Sequence, residues 1–323
     1  MDHTGIYRAG QTDEVLAEEY RVHRDGIGLH VFRKRTAGPA IGPDASAGRK
    51  VLFLVHGSSQ SGRTSYDLQA GALGEYSVMN VFARLGYDVW TMDHEGYGRS
   101  DRTDGFSYIR DNAEDLRVAC DLVEQVTGQG RFAFFGTSSG ALRAGLFQNL
   151  NPGRVERLAM AAFPWTGKDA PSLIKRRERL AEWQSVNRRP VDAAYYHMML
   201  TRDIEGLTDP ALAAVVAENE IANGGDSVPN GTYVDMCINL PLVDPGKIDC
   251  PVLMLRAEHD GITTDADMAA FYGALATKDR QMVMMSGQAH NITFGINRHR
   301  FWYALDAFLK FPARQDSLAS AAP

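Results

Sequence analysis

Ser138 lies in Gly136-Thr137-Ser138-Ser139-Gly140, directly after the apolar run Phe132–Phe135 and directly before a helix-patterned stretch. A serine flanked two residues away on each side by glycine, between strand and helix, describes a very tight turn. Its flanks must be nearly free of side chains. Such a turn lifts the hydroxyl to the carboxyl end of a sheet and aims the N-terminus of the next helix at the same point. The hydroxyl is a weak nucleophile until a base takes its proton, and the base needs a third group to orient it. Two later segments offer these groups. The run 251–256 leads into Ala257-Glu258-His259-Asp260, which sets Asp260 just past a strand end. Ser286-Gly287-Gln288-Ala289-His290 follows the next apolar run. His290 as base and Asp260 as its orienting acid give the order Ser, Asp, His along the chain. Among nine histidines His259 is the rival base, and Glu258 is the rival acid, but both share the strand end that carries Asp260.

The negative oxygen that develops on an attacked carbonyl needs backbone donors. The Ser139 N–H, one residue past the nucleophile, is the first. The loop His56-Gly57-Ser58-Ser59 after the first buried strand offers the Ser58 N–H as the second, with Gly57 letting the chain fold back. His56 is read as a strut for that loop rather than a proton carrier. His94 and Glu95 are the candidate metal ligands, but no partner histidines stand at ligand spacing, so no metal is expected. Cys120, Cys237 and Cys250 contain no CxxC pair and imply neither a disulfide framework nor zinc.

These residues need a scaffold, and the pattern of the chain predicts one. Short apolar runs at 51–55, 87–92, 131–135, 155–163, 251–255 and 281–285 have the texture of buried parallel strands. Helix-patterned stretches separate them, such as Ala113, Leu116, Cys120, Val123 and Val126, or Phe301, Leu305, Phe308 and Phe311. The alternation predicts an α/β fold with a mostly parallel sheet covered on both faces. Asp25-Gly26 between 18–24 and 27–36 predicts a hairpin, which adds N-terminal antiparallel strands. Residues 37–50 read as a loop and the C-terminal RQDSLASAAP as a frayed tail. From Pro164 to Cys250 no strand is expected, only helical pieces near 172–184, 190–203 and 209–223. The expected division is a core of 1–163 and 251–323 with an inserted helical cap, 164–250. Trp165, Trp183, Tyr195 and Met199 are the candidate substrate-binding residues of that cap, which favour an apolar or aromatic group. The basic run Lys175-Arg176-Arg177-Glu178-Arg179 reads as a solvated helix face, with capture of an acidic substrate as the other reading.

Taken with HGSS at 56–59, DHEGYGRS at 93–100, GTSSG at 136–140, the AEHD acid loop and the QAH histidine loop, the chain resembles the α/β-hydrolases of the lipase, esterase and lactonase superfamily. The resemblance spans 51–290. It departs only in Gln288-Ala289, where glycine is frequent, and in Thr264, where proline is common. It implies the α/β-hydrolase fold, with Gly96 and Gly98 turning a structural loop. It also implies a cofactor-free serine hydrolase that cleaves a carboxylic ester or lactone through an acyl-enzyme. The same three residues serve amidases and carbon–carbon bond hydrolases, and some such folds serve as ligand receptors without turnover.

Composition narrows the partners. The 323 residues carry 34 Lys+Arg against 40 Asp+Glu, a net charge of −6 without a basic stripe, so no nucleic-acid partner is expected. No run of about 18 apolar residues predicts a membrane span. The first residues, MDHTGIYRAGQTDEV, lack the pattern of a signal peptide. A cytoplasmic monomer or homodimer acting on a small molecule is the expectation.

Overall fold

The structure is a computed structural model, and it describes residues 14–38 and 48–315. The signal-peptide reading, the middle of the 37–50 loop and most of the C-terminal tail lie outside the described residues. Asp25 and Gly26 have φ of 49° and 87°, the left-handed pair that a two-residue hairpin needs. They join β1 (Val15–Arg24) to β2 (Ile27–Thr36) in antiparallel register, with Arg24 opposite Ile27. Four apolar runs then become β3 (Val51–Val55), β4 (Asp88–Met92), β5 (Phe132–Thr137) and β6 (Val155–Ala161). After β6 the chain leaves the sheet, forms a ribbon of β7 (Arg188–Pro190) and β8 (Ser227–Pro229), and returns as β9 (Val252–His259) and β10 (Arg280–Ala289). The eight-stranded sheet runs β1-β2-β4-β3-β5-β6-β9-β10, parallel from β4 onward. This is the mostly parallel α/β sheet with antiparallel N-terminal strands that the apolar runs predict. The β7–β8 ribbon corrects the expectation of no strand between 164 and 250. Its two strands, Arg-Arg-Pro and Ser-Val-Pro, are too short and polar to carry a strand signal.

Helices cover both faces. α1 (Gly62–Tyr66) and α2 (Val78–Arg84) follow β3, α3 (Ile109–Thr127) follows β4, and α4 (Ser139–Leu150) follows β5. Between β6 and β9 stand α5 (Pro171–Arg177), α6 (Leu180–Ser185), α7 (Ala193–Thr201), α8 (Leu212–Ala222) and α9 (Gly231–Ile238). α10 (Asp265–Ala274) and α11 (Arg298–Leu309) complete the chain. On α3 the expected face Ala113, Leu116, Cys120 and Val123 is buried, while Val126 is exposed one residue before the helix ends and gives way to Gly128 at φ 74°. Among the described residues no helix is long and apolar enough to cross a membrane.

The sheet's two faces carry separate apolar cores because alternate side chains of each strand point opposite ways. Phe134 on β5 is fully buried at the centre of one, with ring centroids 5.5 Å from Phe53, 5.6 Å from Phe132 and 5.3 Å from Phe147. Its neighbour Phe135 enters the other core, 4.7 Å from Phe301. Truncation leaves a cavity that packed strands cannot close. Phe134→Ala is therefore expected to destabilise the fold by about 3–5 kcal/mol in urea unfolding. A loss below about 1 kcal/mol would show that this ring does not hold the core.

Candidate active site

Strand β5 delivers the chain into Ser138 at φ 56° and ψ −127°, a conformation that costs a non-glycine residue about 1–3 kcal/mol. The surroundings enforce it. The Ser138 N–H donates to the Ala161 carbonyl at 2.8 Å. A β-carbon on Gly136 would stand 2.4 Å from the Gly140 carbonyl oxygen, and one on Gly140 only 2.1 Å from that of Val55. Both glycines of the motif are thus required by backbone contact. α4 starts at once, so its unpaired first-turn N–H groups, that of Ser139 among them, lie beside the serine.

Asp260 follows the end of β9, and His290 follows the end of β10, which neighbours it in the sheet. Asp260 Oδ1 accepts from His290 Nδ1 at 2.9 Å and from the Ile262 N–H at 2.9 Å. Burial pushes the Asp260 pKa up, but the His290 ring and these hydrogen bonds outweigh it and hold the carboxyl below its ordinary value. An ionised Asp260 orients the His290 ring through Nδ1. Ser138 and His290 line the same cavity. The rivals lie elsewhere: Glu258 accepts from the Gly287 N–H at 2.7 Å, and His259 stands 3.7 Å from Glu258, neither of them in the cavity wall.

The loop 56–59 passes over the serine, and a β-carbon on Gly57 would be 3.6 Å from Ser138 Cβ. Its carbonyls are held from behind. Arg143, fully buried on α4, donates to the carbonyls of His56 at 2.6 Å and Gly57 at 3.2 Å. Arg189 donates to the Ser58 carbonyl at 2.7 Å and the Tyr196 hydroxyl to that of Ser59 at 2.8 Å. With the carbonyls pinned outward, the peptide N–H groups have one direction left. The Ser58 and Ser139 hydroxyls meet at 2.8 Å, which brings the two expected donor residues side by side. His56 hydrogen-bonds the Gly57 carbonyl through Nδ1 at 2.8 Å and accepts from the His94 N–H through Nε2 at 3.2 Å. Burial drives its pKa well down, so it is a neutral strut. His94 and Glu95 are engaged by Asp115 and Arg24. Neither Arg143 nor Arg189 belongs to a sequence motif. The one signal for Arg143 is a lone charge in a helix, SGALRAGLF, that otherwise has no polar face.

The cavity has mixed walls. Met199, Ile262, Ile292 and Phe294 are its apolar side, and Ser59, Gln60, Arg176, Arg202 and Tyr233 its polar side. Of the four expected substrate residues, Met199 lines it. The Tyr195 hydroxyl is 2.8 Å from Ser59 Oγ and 3.0 Å from the Tyr233 hydroxyl, behind that wall. Trp183 packs edge-on against Tyr233 and donates its indole N–H to the Arg176 carbonyl at 3.1 Å. Trp165 donates its indole N–H to the Val243 carbonyl at 3.1 Å and packs on Phe271, outside the lining. A buried indole N–H needs an acceptor, and each tryptophan is positioned by the one it finds. The basic run also needs correcting: Lys175, Arg177 and Arg179 are exposed, but Arg176 points inward.

Sequence comparison matches residues 48–296 to the family described as serine aminopeptidase, S33, and the chain belongs to that α/β-hydrolase family. A search of curated proteins finds no match. Among solved structures the chain is similar to an esterase from Thermogutta terrifontis, at 17% identity and a TM-score of 0.63, covering 91% of this chain and 98% of that one. It is similar to the enol-lactonase of Burkholderia xenovorans LB400, at 16% identity and a TM-score of 0.61, covering 90% and 99%. A hydrolase from Pseudomonas aeruginosa PA01 matches at 18% identity and a TM-score of 0.63, covering 91% and 98%. At these identities the likeness is one of fold.

Glu220 on α8 ties the segment after the 56–59 loop to the helices above it. Its carboxyl oxygens both stand 3.0 Å from the Ser61 N–H, and one accepts from Ser61 Oγ at 2.8 Å. Burial raises its pKa to about 7 against these bonds. The folded state therefore binds this proton more tightly than the unfolded chain. The sign follows: stability falls as pH rises from about 4.5 to 7, by up to about 3 kcal/mol. Glu220→Gln keeps an acceptor and removes the titration. Its stability relative to the unaltered chain is expected to rise between pH 5 and 8 in denaturant melts. A difference that stays constant with pH would overturn the assignment.

Proposed function

We propose that the chain hydrolyses a carboxylic ester or lactone through an acyl-enzyme on Ser138. The observation that carries this reading is Ser138, held at positive φ, in one cavity with the His290–Asp260 pair bonded at 2.9 Å. His290 Nε2 takes the Ser138 proton as Oγ attacks the substrate carbonyl, and the Ser58 and Ser139 N–H groups receive the oxyanion. His290 then protonates the departing alkoxide. Water repeats the sequence on the acyl-enzyme, with the acid and a free Ser138 as products. An esterase and an enol-lactonase among the structural neighbours are consistent with this bond class. Residues 164–250 act as a cap in this reading, because Arg176, Met199, Arg202 and Tyr233 reach the cavity from them. The apolar side, Met199, Ile262, Ile292 and Phe294, takes the hydrocarbon part of the substrate.

Two substitutions test the reading on p-nitrophenyl esters. Ser138→Ala is expected to lower kcat by about 10³-fold or more with the unfolding midpoint retained. Asp260→Asn is expected to cost on the order of 10³–10⁴-fold, because an amide no longer enforces the Nδ1–H tautomer. Hydrolysis that survives both substitutions would remove the serine mechanism. A folded chain that binds esters without turnover would make the fold a receptor.

A further inference from the structure

Four arginines around the candidate site follow two patterns. Arg143 and Arg189 each make three hydrogen bonds to backbone carbonyls and amide oxygens, Arg143 to His56, Gly57 and Asn112 with Nη2 left over, Arg189 to Ser58, Pro229 and Asn230. Both are struts. Arg176 and Arg202 line the cavity that contains Ser138 and His290, and neither follows that pattern. Only 8% of Arg176 is exposed. Its guanidinium lies 3.7 Å from the Tyr233 ring centroid and reaches the Met236 sulfur at 3.8 Å, and among the described residues no carboxylate pairs with it. Arg202 is answered in part. Its Nε stands 3.6 Å from Asp203 Oδ1, yet Nε and Nη2 are buried without a hydrogen-bond partner. The acids nearby answer them only in part: Asp260 gives Oδ1 to His290 and Ile262 and feels Arg202 through space without a hydrogen bond to it, and Asp203 also accepts from the Gly261 N–H. Tyr233 lies between two cations, with the Arg189 guanidinium also 3.7 Å from its ring.

Taking a guanidinium out of water without a counter-ion costs several kcal/mol, and a planar carboxylate accepting two parallel N–H bonds is the ligand that best recovers it. We propose that Arg176 and Arg202 form a carboxylate-binding subsite beside Ser138, so that the substrate is an ester or lactone bearing a second, free carboxylate. This rests on the hydrolase reading above. Arg176 and Arg202 hold the carboxylate, the apolar side takes the carbon chain between, and Ser138 attacks the remaining carbonyl.

The test compares mono-p-nitrophenyl glutarate with p-nitrophenyl butyrate on the full chain. The anionic ester is expected to have at least a tenfold higher kcat/KM, and Arg176→Gln or Arg202→Gln to lower that ratio at least tenfold. A measurement free of turnover accompanies it: glutarate binds the Ser138→Ala chain in calorimetry and fails to bind the Ser138→Ala/Arg176→Gln chain. If the arginine variants do not fold, the ratio in the unaltered chain and glutarate binding to Ser138→Ala decide. A ratio near one, or no glutarate binding, overturns the subsite. Glutarate binding through Arg176 with neither ester turned over would sink the hydrolase reading and keep the anion site.

Discussion

The contact between the first turn of α4 and the end of β3 sets the geometry of everything around the candidate site. Gly140 approaches the Val55 carbonyl so closely that its missing β-carbon would stand at 2.1 Å. That approach draws the loop 56–59 across Ser138 and leaves the serine no relaxed conformation. Two consequences follow from one contact. The hydroxyl is presented at the carboxyl end of the sheet, and Ser58 of the loop is brought against Ser139, their hydroxyls 2.8 Å apart. The energy stored at Ser138 is small beside the burial that surrounds it, since β3 and β5 are buried along almost their whole length.

Electrostatics then completes what sterics begins. A loop of four peptides over a buried site would tumble if its carbonyls were free to turn inward. Arg143 and Arg189 prevent that by holding three of them from the protein side. Arg143 sits near His56 and His94, and burial together with this cation keeps both histidines neutral. The cavity therefore has one histidine in its wall, His290 bonded to Asp260, and two behind it, His56 and His94, that serve as uncharged props. The division comes from environment alone, because the three side chains are chemically identical.

That division also explains what can be read from the sequence. Ser138, Asp260 and His290 are legible because each follows an apolar strand; β5 and β9 are apolar because both their faces are buried, whereas the edge strand β10 is apolar in sequence though Met282 and Met284 are exposed. The β7–β8 ribbon is illegible for the opposite reason, being held mostly by its backbone and by Arg188 and Arg189, with Val228 its one apolar side chain in a core. Trp165 and Trp183 mislead as pocket residues because aromatic composition does not say which face a ring turns to. Arg176 was hidden inside a basic run, yet it stands three residues after Leu173, the buried position of α5. Helical spacing puts both on the inward face. The signal was the period of the run, not its charge.

The two walls of the cavity bear on substrate choice in unequal ways. Apolar contact with Met199, Ile262, Ile292 and Phe294 discriminates weakly, because one methylene more or less in such a pocket changes binding by about 1–3 kcal/mol. A buried cation without a carboxylate partner discriminates strongly, since a substrate lacking the anion leaves the guanidinium as costly as before. The aromatic-rich composition of residues 164–250 therefore describes the interior of this segment more than its ligand. In the proposed reaction the apolar wall sets how long the substrate is, and Arg176 sets whether it is accepted at all.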